Sequence, residues 1–465
     1  MRKIVSNLKY IFEPKSIAVV GASQTANKIG NVVIKNLVAG HFGGQVYAVN
    51  PKYNEVLGKP CFQKVSDIPG SVDCIIIATP AKSIPLILED AAKKKVKGAV
   101  ILSGGFGEVG EQDLEKQVFD IATKNEIAII GPNCLGAFNP YSKIDSIFLP
   151  MYKLERPNPG DIAFVTQSGA VGSTIIDIAA HFGIGISKFI SFGNGTVLNE
   201  SDFLDFLEND KQTKSIILYL EGAKDGRRLL ETMKKVNAKK PIIALKAGKF
   251  EASKEAAKSH TGNLAGNYLA YQAAFRQAKV IEADNLEELF DFVKIFAQPL
   301  PKGKRIGIIT NGGGMGVLTA DEIERNNLKL AKFSDQTVQV VKGILPPYGN
   351  VGNPLDLIAD AGVEAYEKVI EAMMQDPNID ALAIITLFQT PPMDERVLHI
   401  LTKASDDRRK PICVIAVGGS YTEVFRKVLD QNYVPTYGSP HAAIKALKKL
   451  VDYAWFKGKI KPDQI

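Results

Sequence analysis

A histidine in a loop of small residues is the first group able to do chemistry. His260 lies in AAKSHTGNLAG (256–266), flanked by Ser259, Thr261 and Gly262, and is one of five histidines in 465 residues. So little surrounds it that an imidazole there buries almost nothing. At a helix N-terminus the dipole disfavours an imidazolium, whereas a phosphorylated imidazole is an anion that such a site stabilises. Upstream, LYLEG (218–222) delivers Glu221 at the carboxyl end of an apolar run. A carboxylate there could hold one ring nitrogen and leave the other as a nucleophile. Two readings stand side by side. In one, His260 is a nucleophile oriented by Glu221. In the other, His260 caps the following helix, and Glu221 caps a helix or pairs with Lys224, Arg227 or Arg228. His41, His181, His399 and His441 are read as surface or core-satisfying residues.

Three glycine-bearing turns follow apolar runs and lead into helical patterns, where backbone N–H groups favour anions. Gly21-Ala22-Ser23 opens the first, with Gly30 beyond it, but the GxGxxG spacing of a dinucleotide site is absent. The next run ends VYAVNPKY, placing Asn50 and Lys52 where an NAD site wants a carboxylate. Lys52 suits a ligand with extra phosphate, such as NADP or coenzyme A; a turn needed only for chain reversal is the competing reading. Thr166-Gln167-Ser168-Gly169 forms the second turn, and Ser168 could simply cap its helix. Packing is the preferred explanation of the third, Asn311-Gly312-Gly313-Gly314.

The elements that must position these groups are legible as alternating β-branched runs and amphipathic helices. SIAVVGA (16–22), QVYAVNP (45–51), VDCIIIATP (72–80), KGAVILSGG (97–105) and EIAIIGPN (126–133) read as buried parallel strands. The pattern predicts an α/β protein of three doubly wound domains, a Rossmann-like unit over 1–145 and flavodoxin-like units over 146–300 and 301–465. The proline-bearing stretch 140–160 reads as a linker, and QPLPKGK (298–304) as a second joint. Residues 160–179 align with 303–323 as strand, polar–Gly turn and helix, so the second and third units share a sub-fold.

Composition narrows the function classes. A hydrophobic fraction of 45% with 23% charged residues is that of a soluble globular protein. Net charge is +7 with basic residues scattered, which argues against nucleic acid and is compatible with a phosphate-bearing ligand. The cysteines Cys61, Cys74, Cys134 and Cys413 show no metal-ligand spacing and read as reduced thiols. No metal site is expected on this chain. With no apolar h-region and no run long enough to span a membrane, a cytoplasmic location is expected.

Taken together, GAS (21–23), ATPA (78–81), LSGGFGE (102–108), GPNCLG (131–136), TQSGAVG (166–172), LYLEG and KSHTGNLAG (258–266) resemble the α-subunit of ADP-forming (NDP-forming) acyl-CoA synthetases, relatives of succinyl-CoA synthetase. NGGGMGV and VGNPLDL in the third unit resemble the CoA-ligase domain that the succinyl enzyme carries on its β-subunit. The resemblance implies CoA in the first domain, with Gly21, Ala22, Ser23 and Lys52 near its phosphates. Thr79, Pro80, Ser103, Gly104 and Asn133 would line its path. It implies phosphate held by Gln167, Ser168, Gly169, Thr261 and Gly262, and a phosphoryl group passing from an acyl phosphate to His260, beside Glu221, and on to ADP. No ATP-grasp pattern occurs, so the nucleotide and its Mg²⁺ are expected on a separate ATP-grasp β-subunit, in an α2β2 heterotetramer. The runner-up is a CoA- or acyl-CoA-sensing regulatory module; a dehydrogenase comes third.

Overall fold

The computed structural model describes residues 2–250 and 267–460. The chain forms two compact units, Met1–Asp284 and Asn285–Ile465. Among the described residues, the first contains two seven-stranded sheets and the second a six-stranded one.

In the first sheet the five expected runs are all strands, and SIAVV, CIII and GAVI are buried along their whole length. Helices on both faces explain such unbroken apolar runs. A short strand, Lys59–Phe62, pairs in parallel beside Gln45–Val49, and Glu55–Val56 pairs antiparallel to it. Numbered along the chain, the parallel strands lie in the order 3-2-1-4-5-6. The direction of winding therefore reverses between Ser16–Val20 and Cys74–Ile77, whose carboxyl ends open a crevice.

The parallel strands of the second sheet are Pro159–Thr166, Ile186–Ser191, Ser215–Leu220, Ile242–Lys246 and Ile281–Ala283, in the order 2-1-3-4-5. Arg305–Thr310, Lys329–Leu330, Ala381–Ile385, Ile412–Ile415 and Thr436–Tyr437 repeat that order in the third. Here the reversal falls between the first and third strands of each sheet. A lysine also recurs. Lys240 Nζ donates to the carbonyls of Leu207 and Asp210, closing the helix Glu200–Glu208. Lys410 Nζ does the same to Met373 and Asp376 after the helix Val363–Gln375. Burial pushes both amines down to about 8.

One expectation changes. The stretch read as a linker is built into the second sheet. Gly136–Asn139 pairs antiparallel to Ile186–Ser191, and Ile144–Asp145 pairs with Gly136–Asn139. Buried Arg156 fixes the remainder: its Nε donates to Asp145 Oδ2 at 2.8 Å and an Nη to Leu149 O at 2.8 Å. Asn36 Nδ2 adds bonds to the carbonyls of Ile147 and Leu149. The helix Leu286–Ile295 packs within the second compact unit, against the helix Pro440–Phe456. Lys294 donates to Thr436 O at 2.6 Å, and Lys445 pairs with Glu288 at 2.6 Å.

Candidate functional site

Each reversal point in the first unit carries expected site residues. At the first, a cavity of about 580 Å³ lies outside the strand ends, walled by Gly21, Asn50, Thr79, Pro80 and the apolar Val65 and Ile87. Gly21 adopts φ +88°, and a Cβ there would sit 2.5 Å from Ala78 O, so only glycine lets the turn pass this close to the neighbouring strand. Asn50 braces the same turn by donating from Nδ2 to Ala22 O at 2.7 Å, while its Oδ1 accepts from Lys52 N at 3.0 Å. That bracing role accounts for an amide where a ribose-binding acid was absent. Ser23 serves its own turn, its hydroxyl accepting from Thr25 N at 3.1 Å.

Lys52 is exposed and is not part of the cavity wall; the lysines that line it are Lys64 and Lys93. Neither was singled out from the sequence. Lys64 follows the short unexpected strand and Lys93 ends a helix, so only the tertiary fold brings them to the cavity. Glu89 and Asp90 also line the cavity, so its amines do not stand alone; apolar walls with amines suit a ligand that joins a flat heterocycle to phosphates.

From the cavity wall a chain of hydrogen bonds runs to the loop at Asn133. Ser103 Oγ donates to Thr79 O at 2.6 Å, and Asn133 N donates to Ser103 O at 2.9 Å. Gly104 lies against both Glu108 and Asn133, with room for nothing larger than a tight contact at its Cα. Burial works to raise Glu108, but the Asn194 amide and the N–H groups of Gly105 and Phe106 outweigh it and hold the carboxyl low.

The second reversal point gathers Gln167, Ser168, Gly169 and Glu221. Gln167 uses its whole side-chain amide as a latch: Oε1 accepts from the N–H groups of Glu221 and Gly222, and Nε2 donates to Gly222 O at 2.8 Å. Glu221 is thereby held at the end of Ser215–Leu220, 8% exposed, with Tyr219 Oη 3.5 Å from its Oε1. Burial and the adjacent Glu221 charge push the Tyr219 phenol well up. Beneath Glu221, the Lys246 ammonium donates to its carbonyl at 2.8 Å and lies 4.7 Å from the centre of the Tyr271 ring. Ser168 caps the helix Gly169–Phe182, accepting from Val171 N at 3.3 Å, and no acidic residue occupies that helix's first turn. A buried carboxylate thus sits at one strand end of this reversal point and a helix end suited to an anion at the other.

His260, Thr261 and Gly262 lie outside the described residues. Among the described residues, no group of His, Cys, Asp and Glu side chains is placed to hold a metal ion, and no helix is long and apolar enough to cross a membrane.

Comparison with known proteins places these features in one family. Residues 15–140 match a CoA binding domain, 159–296 a succinyl-CoA ligase like flavodoxin domain, and 306–457 a ligase-CoA domain. The chain is 42% identical over 453 residues to the α-subunit of an ADP-forming acetate–CoA ligase II of Pyrococcus furiosus, covering 96% of this chain and 98% of that one. It is also 42% identical to an ADP-forming acetate–CoA ligase of Methanocaldococcus jannaschii, of which it spans 64%. A solved structure of a Candidatus Korarchaeum cryptofilum dinucleotide-forming acetyl-coenzyme A synthetase 1, in complex with phosphate and ADP, superimposes with a TM-score of 0.90 at 34% identity, covering 97% of this chain and 98% of that one. With three matched domains in sequence and both full-length and partial relatives in agreement, this chain belongs to the α-subunit family of the ADP-forming acyl-CoA synthetases.

Proposed function

We propose that the chain is the CoA- and acyl-handling subunit of an ADP-forming acyl-CoA synthetase, acetyl-CoA being the foremost substrate. The reaction is acyl-CoA, phosphate and ADP giving carboxylate, CoA and ATP. The observation that carries this reading is Glu221, latched by Gln167 beside the Ser168-capped helix. A regulatory CoA-binding module has no need of a buried, positioned carboxylate next to an anion-compatible helix end.

CoA fits the first crevice through the apolar walls and the Lys64 and Lys93 amines, with Gly21, Thr79 and Pro80 at the turn. Bound there, it supplies a thiolate leaving group. Phosphate attacks the thioester carbonyl: a C–O bond forms, the C–S bond breaks, and the thiolate takes a proton on release. The helix end at Ser168 and Gly169 stabilises the phosphate charge. His260 then attacks phosphorus and the P–O bond to the carboxylate breaks. Glu221 accepts the hydrogen bond from the other ring nitrogen and balances the charge that develops on the ring. Transfer from His260 to ADP completes the cycle. The nucleotide and its Mg²⁺ are assigned to a separate ATP-grasp subunit, in an α2β2 assembly.

The test is reconstitution. The chain alone forms no ATP from acetyl-CoA, phosphate and ADP, and adding the ATP-grasp subunit restores it; robust synthesis by the chain alone refutes the assignment. Calorimetry with CoA tests the crevice. Lys64→Ala weakens binding about tenfold, the loss of one charge-assisted contact, and Lys52→Ala by less; unchanged affinity in Lys64→Ala contradicts this placement.

A further inference from the structure

One carboxylate ties the two reversal points of the first unit together. Glu115, on the helix Gln112–Asn125, is 17% exposed, and its oxygens are addressed from three different loops. Gly107 N donates to Oε2 at 2.9 Å from the loop after Gly98–Ile101. Thr196 Oγ1 donates to Oε1 at 2.7 Å and Asn194 Nδ2 to Oε2 at 3.2 Å, both from the loop after Ile186–Ser191. Lys224 Nζ lies 3.8 Å from Oε1, and it also donates to Gly195 O at 3.1 Å from the loop that follows Glu221.

These loops cannot move independently. Asn194 Oδ1 accepts from Asn133 Nδ2 at 3.3 Å, and Asn194 N donates to Pro132 O at 3.0 Å. A Cβ on Gly193 would fall 2.1 Å from Asn133 O, so the backbones there already touch. The bonds run from Thr79 on the cavity wall through Ser103, Asn133, Asn194 and Glu115 to Lys224, three residues beyond Glu221. A part-buried acceptor shared by three loops holds them in one arrangement; losing it takes the acceptor from Gly107 N and Thr196 Oγ1, while Asn194 Nδ2 keeps Glu108 Oε2 at 2.6 Å and Lys224 keeps Gly195 O.

We propose that Glu115 is a positioning residue that holds the CoA crevice in register with the Glu221 loop, so that the thioester carbonyl meets phosphate at the second reversal point. This inference rests on the phosphohistidine reading above. Its consequence is selective. Steps that use both crevice and loop depend on Glu115, whereas a phosphoryl donor that bypasses the thioester does not. Misplacement of reacting groups by about an ångström is enough to slow a step by an order of magnitude or more.

The experiment measures phosphorylation of the full chain, with its partner subunit and without ADP, from two donors: acetyl-CoA plus labelled phosphate, and labelled acetyl phosphate. In Glu115→Ala the first rate falls at least about tenfold, while the second stays within about twofold of wild type. Thr196→Val, which deletes one bond to the same carboxylate, shifts the ratio in the same direction by less and serves if Glu115→Ala does not fold. A ratio equal to that of wild type in the variant that folds, with rates unchanged or equally reduced, overturns the proposal and leaves Glu115 a purely structural residue. Wild-type protein labelled by neither donor fails the phosphohistidine reading itself, a distinct result.

Discussion

The second and third sheets build the same latch at the same place and put different chemistry beside it. Thr166 Oγ1 donates to Ser168 O at 2.9 Å, and Thr310 Oγ1 donates to Gly312 O at 2.9 Å. Gln167 then accepts from Glu221 N across the reversal point, just as Asn311 accepts from Leu387 N at 2.8 Å. The position occupied by Glu221 in one sheet is therefore Leu387 in the other. The helix ends differ too. Ser168 caps the first, whereas Gly312 offers no side chain, and Asp356 Oδ2 lies 2.6 Å from where a Cβ on Gly313 would stand. Neither helix has an acidic residue in its first turn, but only the second has a carboxylate from elsewhere, Asp356, against its end. On the proposed reading the latch belongs to the scaffold and the acid to the chemistry.

Breaking that contrast gives the largest expected effect. Glu221→Gln keeps the size of the side chain and the Gln167 latch but removes the charge. Acetyl-CoA-driven ATP formation by the assembled enzyme falls about a hundredfold, with melting temperature little changed. Near-wild-type turnover in that variant means the acid is part of the scaffold after all.

Removing the latch sharpens the same comparison. Gln167→Ala and Asn311→Ala each strip a bridging amide from backbone groups, part-buried in the first case and buried in the second, and each costs about 1–3 kcal/mol of stability by denaturant titration. Gln167→Ala additionally lowers turnover about tenfold, because Glu221 loses the bond that holds its backbone. Equal turnover in Gln167→Ala and wild type separates the latch from the chemistry.

The smallest effect concerns a buried acid outside both latches. Glu200, 1% exposed at the start of its helix, has its carboxyl raised to about 7 by burial, against an ordinary 4.5; its own backbone N–H, Lys224 and Arg228 oppose the rise and Asp202 adds to it. A folded-state value above the unfolded one means the fold prefers the protonated acid. Stability is then lost as pH climbs from about 4.5 to about 7. Glu200→Gln removes that slope, so the variant gains roughly 1–3 kcal/mol on wild type between pH 5 and pH 8. Parallel pH–stability curves for the two proteins contradict it.

The parts legible in the sequence are those written as local pattern. Long apolar runs announced the central strands, and a strand-end acid pointed to Glu221. Edge strands of two residues, such as Lys329–Leu330 and Thr436–Tyr437, carry no pattern to read. Gln167 reads as part of a glycine-bearing turn, but its latch joins residues more than fifty positions apart, and nothing near it in sequence names the partner. The stretch 140–160 reads as linker because its order comes from Arg156 and Asp145, a charged pair in a segment poor in apolar runs. Lys64, Lys93 and the Glu115 cluster depend in the same way on which loops the sheets bring together.

The central claim is that a phosphoryl group passes through His260. Incubation of the reconstituted enzyme with acetyl-CoA and labelled phosphate, without ADP, followed by peptide mass spectrometry under alkaline conditions, tests it directly. The account predicts acid-labile phosphate on His260, chased into ATP when ADP is added, and absent from His260→Ala, which still binds CoA. Label on a different residue, or full ATP synthesis by the His260→Ala enzyme, contradicts it.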